Sequence, residues 1–275
     1  MKNTLVKLVG LSVNTSSFIS KSFAAEKALD IFSTPLKGKP NEEQSDFLNT
    51  AFKEELQHNN TPIMTYRWLG KKETILLVHG WESNSARWKN LILELKAKDY
   101  NIVALDAPAH GNSGSKRFNA LLYAEFIHVV AKKYNPSIII GHSVGGMASV
   151  YFQHTHQISS VKKMILLGAP SEFSGILNRY VEMLGYNRRV TNQLNSIIRD
   201  RFGVTPKEFS TSKFISSIKP KTLIIHDELD KIIPYQDALL LKNAHSNSKL
   251  ITTNGFGHSL NNATVSNYIH SFLEG

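Results

Sequence analysis

Six short segments of the chain are apolar at nearly every position: TILLVH (74–79), NIVALD (101–106), SIIIG (137–141), KKMILLG (162–168), KTLIIH (221–226) and KLITT (249–253). A strand with one wet face alternates apolar and polar residues. A run that is apolar throughout fits a strand covered on both faces. Between these runs SARWKNLILELKAK, NALLYAEFIHVVAKKY and VGGMASVYFQHTH carry helical spacing. This alternation predicts an α/β fold, a mostly parallel central sheet flanked by helices. IMTYRWL (63–69) reads as one more strand, ahead of the others.

Two stretches break the rhythm. Residues 1–60 read as an N-terminal helical extension, in which AAEKALDIF and EEQSDFLNTAFKEELQ are helix-like and STPLKGKP links them. The rest, 61–275, reads as the main domain, with a small helical cap inserted at about 171–218 that contains FSGILNRYVEMLGY and RVTNQLNSIIRDRFG. Lys2 and Lys7 precede the apolar LVGLSV, and SFAA follows near Ala24, a poor export signal because Asn14 to Ser17 interrupt the run. A helix packed on the domain of a cytoplasmic protein is the preferred reading. No apolar run approaches the roughly 20 residues of a membrane-spanning helix, so no integral membrane contact is expected.

Composition narrows the chemistry. The net charge of +10 could point to nucleic acid, but the basic residues are scattered and form no stripe interleaved with aromatics, so no nucleic-acid partner is expected. With no cysteine, disulfides, zinc–thiolate sites and thiol nucleophiles are excluded.

Gly141-His142-Ser143-Val144-Gly145 follows one apolar run directly and opens a helical pattern. G-x-S-x-G in that setting is a nucleophile elbow, a strand-to-helix turn too tight for side chains beside the serine. A serine hydroxyl needs a base, and the base an orienting group. HDELDKIIP follows KTLIIH, and NGFGHSL follows the last strand. Both emerge at the carboxyl edge of the sheet, where open α/β sheets place their sites.

Four landmarks, HGW (79–81), DAPAHGNS (106–113), GHSVGG (141–146) and the acid and histidine segments, stand in order from about residue 61 to the C-terminus. On these the chain resembles the α/β-hydrolase fold serine hydrolases, in particular the carboxylesterases. The resemblance implies Ser143 as nucleophile, His258 as general base and then acid, and Asp230 as the orienting carboxylate. Asp227 is the rival acid; DKIIP after Asp230 favours the latter. The N–H groups of Val144 and Trp81 are the implied oxyanion donors, with the Trp81 indole lining the pocket wall. Asp106 and His110 are read as structural, His79 as ordering the oxyanion loop, and His142 as a buried, hydrogen-bonded residue. His154 and His156 face different ways on a helix, and His226 beside Asp227 lacks a third ligand. No metal and no cofactor are expected.

The reaction expected is hydrolysis of small to medium acyl esters through an acyl-enzyme intermediate. Thioester hydrolysis, C–C hydrolysis and acyl transfer use the same machinery, and a non-enzymatic receptor could keep the fold. Phe173, Ile176, Tyr180, Met183 and Leu184 share one helical face in the cap, for core packing first and a pocket roof second. Cap residues such as Arg179, Arg188, Arg189, Arg199 and Arg201 outnumber the acids, which favours a neutral or mildly anionic acyl group over a cationic amine. The oligomeric state and the physiological substrate are left open by the sequence.

Overall fold

The computed structural model describes residues 2–275. The chain opens with helices α1 (Lys2–Ile19), α2 (Lys21–Ser33) and α3 (Glu42–Leu48), followed by strands β1 (Phe52–His58) and β2 (Thr61–Trp68). Strand β3 (Thr74–Val78), helix α4 (Lys89–Ala97), β4 (Asn101–Leu105), α5 (Ala120–Tyr134), β5 (Ile138–His142), α6 (Val144–His156) and β6 (Lys163–Leu167) continue the alternation. After α7 (Phe173–Leu184), α8 (Arg188–Phe202) and α9 (Thr211–Ile215) come β7 (Lys221–Asp227), α10 (Tyr235–Ala244), β8 (Ser248–Thr253) and α11 (Ala263–Glu274). The chain divides into two compact units, Met1–Thr34 with Glu172–Ser210, and Pro35–Ser171 with Thr211–Gly275.

The second unit holds the sheet. Among the described residues it has eight strands in the order β1-β2-β4-β3-β5-β6-β7-β8. Strands β1, β2 and β4 pair antiparallel, and the others are parallel. The apolar runs are apolar because the sheet has two buried faces. Ile75, Leu77, Ile138, Ile140, Leu223 and Ile225 enter one core with Leu91 and Leu95 of α4 and Phe272 of α11. Leu76, Val78, Ile139, Met164 and Ile224 enter the other, with Phe126 and Val130 of α5 and Phe152 of α6. Each such side chain contributes about 1.5–3 kcal/mol by burial.

One expectation is corrected. Residues 42–57 do not form one helix. The helix stops at Leu48, Phe47 stacks on Trp68 with centroids 5.4 Å apart, and FKEELQH becomes strand β1. The turn explains the change: Asn59 and Asn60 both take positive φ (46° and 60°), the two-residue hairpin geometry that matches strand twist. Strand β1 is a largely exposed edge, so polar residues fill it and the period-two signal is lost.

The other unit is helical. Val13 of α1, Ala24 and Ala28 of α2, Leu177 of α7 and Leu194 and Ile198 of α8 share a core, and Tyr180 Oη donates to the Ala28 carbonyl at 2.7 Å. A Cβ at Gly10 would lie 1.7 Å from the Leu184 carbonyl oxygen, so only glycine lets α1 sit against α7 this closely.

Candidate active site

Strand β5 is buried along its length and runs straight into the turn at Ser143, whose backbone sits at φ 53°, ψ −129°. That conformation is costly for a residue with a Cβ and is held only where the surroundings over-determine it. Here the Ser143 N–H donates to the Leu167 carbonyl of β6 at 2.8 Å. A Cβ at Gly145 would come within 2.3 Å of the His79 carbonyl oxygen, so that position admits no other residue. The serine is thereby set between the end of a strand and the start of α6, at the positive end of the helix dipole.

His258 lies 115 positions away in sequence, yet its Nε2 is 3.0 Å from Ser143 Oγ. Its Nδ1 is 2.7 Å from Asp230 Oδ2. The other oxygen of Asp230 accepts from the N–H groups of Ile232 (2.8 Å) and Ile233 (3.0 Å), and His226 Nε2 lies 3.4 Å from Oδ2. Burial would raise the pKa of this carboxyl, but the donors from His226, His258, Ile233 and Ile232 outweigh it and hold the group well below its ordinary range. Asp230 is therefore ionised, and His258 donates to it through Nδ1–H and turns an acceptor Nε2 toward the serine. Asp227 does not reach His258. Its oxygens accept from Thr253 Oγ1 (2.8 Å) and from the N–H groups of Leu229 (3.0 Å), Phe256 (2.8 Å) and Gly255 (3.3 Å), which ties the exits of β7 and β8 together.

The loop after β3 approaches the elbow closely, because a Cβ at Gly80 would lie 2.9 Å from both Ser143 Cβ and His142 Nδ1. Two buried histidines bracket it. His79 Nε2 accepts from the Ala107 N–H at 2.9 Å, so its Nδ1–H donates to the Gly80 carbonyl at 2.8 Å. His110 Nε2 accepts from the Glu82 N–H at 3.0 Å, and its Nδ1–H donates to the Pro108 carbonyl at 2.8 Å. Burial lowers the pKa of both, that of His79 to about 3, so both are neutral and keep these directional roles. Trp81 stands between the two anchors. Among the described residues neither its backbone N–H nor that of Val144 donates to a protein acceptor. The Trp81 ring meets His110 and Phe118 edge-on, at 5.2 and 5.5 Å. Asp106 is a buried strut that accepts from Ser85 N–H (2.9 Å), Ser85 Oγ (2.7 Å), Asn112 N–H (2.8 Å) and Tyr66 Oη (2.9 Å).

A profile of the α/β hydrolase fold matches residues 73–212, and one described as TAP-like protein matches residues 203–275. The chain belongs to the α/β-hydrolase fold family. It is similar to the AB hydrolase superfamily protein YisY of Bacillus subtilis (strain 168), 22% identical over 231 residues, which cover 69% of this chain and 86% of that protein. It is also similar to a pimeloyl-acyl-carrier-protein methyl ester esterase of Xylella fastidiosa (strain 9a5c), 26% identical over 100 residues, which are 36% of this chain and 38% of the esterase. Among solved structures, the thioesterase domain from the curacin biosynthetic pathway superimposes with a TM-score of 0.59 at 19% identity, covering 82% of this chain and 99% of that domain. At that identity the likeness concerns the fold.

The supporting roles of His226 and Arg87 were not legible in the sequence of this α/β-hydrolase, nor was the partner of the buried His142. His226 Nε2 donates to the Ile233 carbonyl at 2.9 Å as well as facing Asp230, and so braces the acid turn. His142 Nε2 donates to the carbonyl of His258 itself at 2.9 Å, and Arg87 Nη2 donates to that of Ser259 at 3.0 Å. Burial, then the Arg87 charge, pushes the pKa of His142 far down. The order of strands β3, β5, β6, β7 and β8 in the sheet creates these contacts. His154 and His156 point apart, to Ser217 Oγ (2.6 Å) and Glu125 Oε1 (3.0 Å), and no group of three or more metal-ligating side chains is found among the described residues. Of the face expected on α7, Tyr180 and Leu184 are buried and Phe173 packs beside them, whereas Met183, at the edge of that arc, is 59% exposed.

Proposed function

We propose that this α/β-hydrolase is a serine hydrolase that cleaves carboxylic esters of small to medium acyl groups. The observation that carries the reading is the continuous relay from Ser143 Oγ through His258 to Asp230, with contacts of 3.0 and 2.7 Å, built on a strained elbow. His258 takes the hydroxyl proton as Oγ adds to the ester carbonyl carbon. Negative charge moves to the carbonyl oxygen, where the N–H groups of Val144 and Trp81 stabilise it in a water-poor setting. Asp230 stabilises the imidazolium without taking its proton. The ester C–O bond breaks, the alcohol leaves with the proton held by His258, and a water deprotonated by the same imidazole releases the acid and restores Ser143. The methyl ester esterase among the relatives supports ester chemistry.

The test is a panel of acetyl, butyryl and succinyl p-nitrophenyl esters and matched thioesters, with the wild type and Ser143→Ala. Turnover that falls by about 10⁴-fold or more in the variant is expected. Fluorophosphonate labelling of Ser143 without turnover would assign the site to a receptor instead. Thioesters cleaved well ahead of esters would move the assignment to a thioesterase.

A further inference from the structure

Helix α1 is apolar on two sides. Val6, Val9 and Val13 face the core of the helical unit, and Asn14 pins the helix there through its side chain, donating to the Gly185 carbonyl at 2.8 Å and accepting from the Asn187 N–H at 2.9 Å. The opposite side carries Leu5, Leu8, Leu11, Phe18 and Ile19, each more than half exposed and Ile19 92% exposed. At 3.6 residues per turn these five fall within one arc, in which the intervening residues are Thr4, Ser12 and Thr15. A groove of about 500 Å³ continues this surface onto α2, lined by Leu8, Ser12, Phe23, Lys27 and Ile31. A helix that is apolar all round is covered on all sides when it works, and a contiguous exposed apolar face marks an interaction site.

Charge says what covers it. The first 25 residues contain Lys2, Lys7 and Lys21 and no carboxylate. Lys7, Lys21, Lys27 and Arg189 are exposed around the face. Two of these cations sit beside its aromatic rings, Arg189 over Phe18 at 5.3 Å and Lys27 over Phe23 at 5.5 Å. Of the two acids on α2, Glu26 is held by Arg201 at 2.7 Å. Apolar side chains rimmed by cations suit an interface that is greasy inside and negative at its edge. A second copy would bring the same cations against each other, on a chain of net charge +10. No helix among the described residues is long and apolar enough to cross a membrane.

We propose that the exposed face of α1 and the adjoining α2 groove form a peripheral docking surface for an anionic phospholipid bilayer. The leucines, Phe18, Ile19 and Phe23 enter the boundary between headgroups and acyl chains, while Lys7, Lys21, Lys27 and Arg189 meet the lipid phosphates. The two contributions add, because interfacial binding scales with the apolar area buried plus the attraction to anionic lipid.

Co-sedimentation of the full chain with vesicles of phosphatidylcholine alone, or with about 30 mol% phosphatidylglycerol, tests this. Binding to the anionic vesicles is expected, and should weaken with added salt. The double variants Leu8→Glu/Leu11→Glu and Lys21→Glu/Lys27→Glu should each lower the affinity about tenfold or more while the thermal midpoint stays put, because these side chains are exposed. Absence of binding, or equal binding to both kinds of vesicle, overturns the proposal. So does a wild-type dimer in sedimentation velocity that Leu8→Glu/Leu11→Glu abolishes, which would give the face to a second copy. None of these readouts depends on the esterase reading.

Discussion

Exchanging Asp230 and Asp227 in turn for asparagine separates the relay from its scaffold. In Asp230→Asn the amide has one good orientation. Ile232 and Ile233 both donate N–H bonds to Oδ1, so the carbonyl oxygen of the new amide stays there and its NH₂ takes the place of Oδ2. That NH₂ faces His258 Nδ1, which sits 2.7 Å from the present oxygen. The imidazole must then accept at Nδ1 and carry its proton on Nε2, 3.0 Å from Ser143 Oγ, where it is a donor and no longer a base. Loss of the base through the wrong tautomer costs on the order of 10⁴-fold in kcat, equivalent to about 5.4 kcal/mol of transition-state stabilisation. The stability cost should be only about 1–2 kcal/mol, because two of the backbone bonds persist. Asp227→Asn reverses the pattern. Each Asp227 oxygen accepts from a backbone N–H, so either orientation of the amide sets an NH₂ against a buried donor. The expected cost is about 2–3 kcal/mol of stability, with kcat lowered less than about tenfold in the folded fraction. Stopped-flow or plate-reader kinetics on p-nitrophenyl acetate, beside urea unfolding of each variant, give both numbers. If folded Asp227→Asn loses as much turnover as Asp230→Asn, the account of how the imidazole is oriented is wrong.

Three more outcomes follow from the same geometry. Asp106→Asn should lose about 2–4 kcal/mol in urea unfolding, since its amide must turn a donor toward Ser85 N–H or Asn112 N–H; an unchanged midpoint would show that the strut is dispensable. Gly80→Ala puts a methyl group 2.9 Å from Ser143 Cβ and His142 Nδ1, so the Trp81 loop must retreat and kcat should drop about 10²-fold in a folded protein; wild-type turnover would contradict so close an approach. Asp230 has a folded pKa below its unfolded value of about 3.9, so its contribution to stability is present above that pH and is lost as pH falls toward the folded pKa. The stability gap between wild type and Asp230→Asn should therefore shrink from pH 7 to pH 3 in paired urea titrations, and a constant gap would rule out the depressed pKa.

The apolar runs, the elbow around Ser143 and the class of fold were legible along the chain, because each depends on neighbours in sequence. Burial of both sheet faces writes itself into SIIIG and KTLIIH as unbroken apolar runs, and the strained turn demands glycines within two residues of the serine. Strand β1 was not legible, because an exposed edge needs no apolar alternation and its pairing with β2 is decided by the Asn59–Asn60 turn. The DKIIP segment favoured Asp230 over Asp227, but the sequence did not show that Asp227 ties the exits of β7 and β8 together, or that His226, His142 and Arg87 brace the candidate relay. Those contacts join residues up to 172 positions apart. They exist because β3, β5, β6, β7 and β8 stand consecutively in the sheet, which gathers their carboxyl-end exits at one edge, and hydrogen bonds act over about 3 Å of space whatever the distance along the chain.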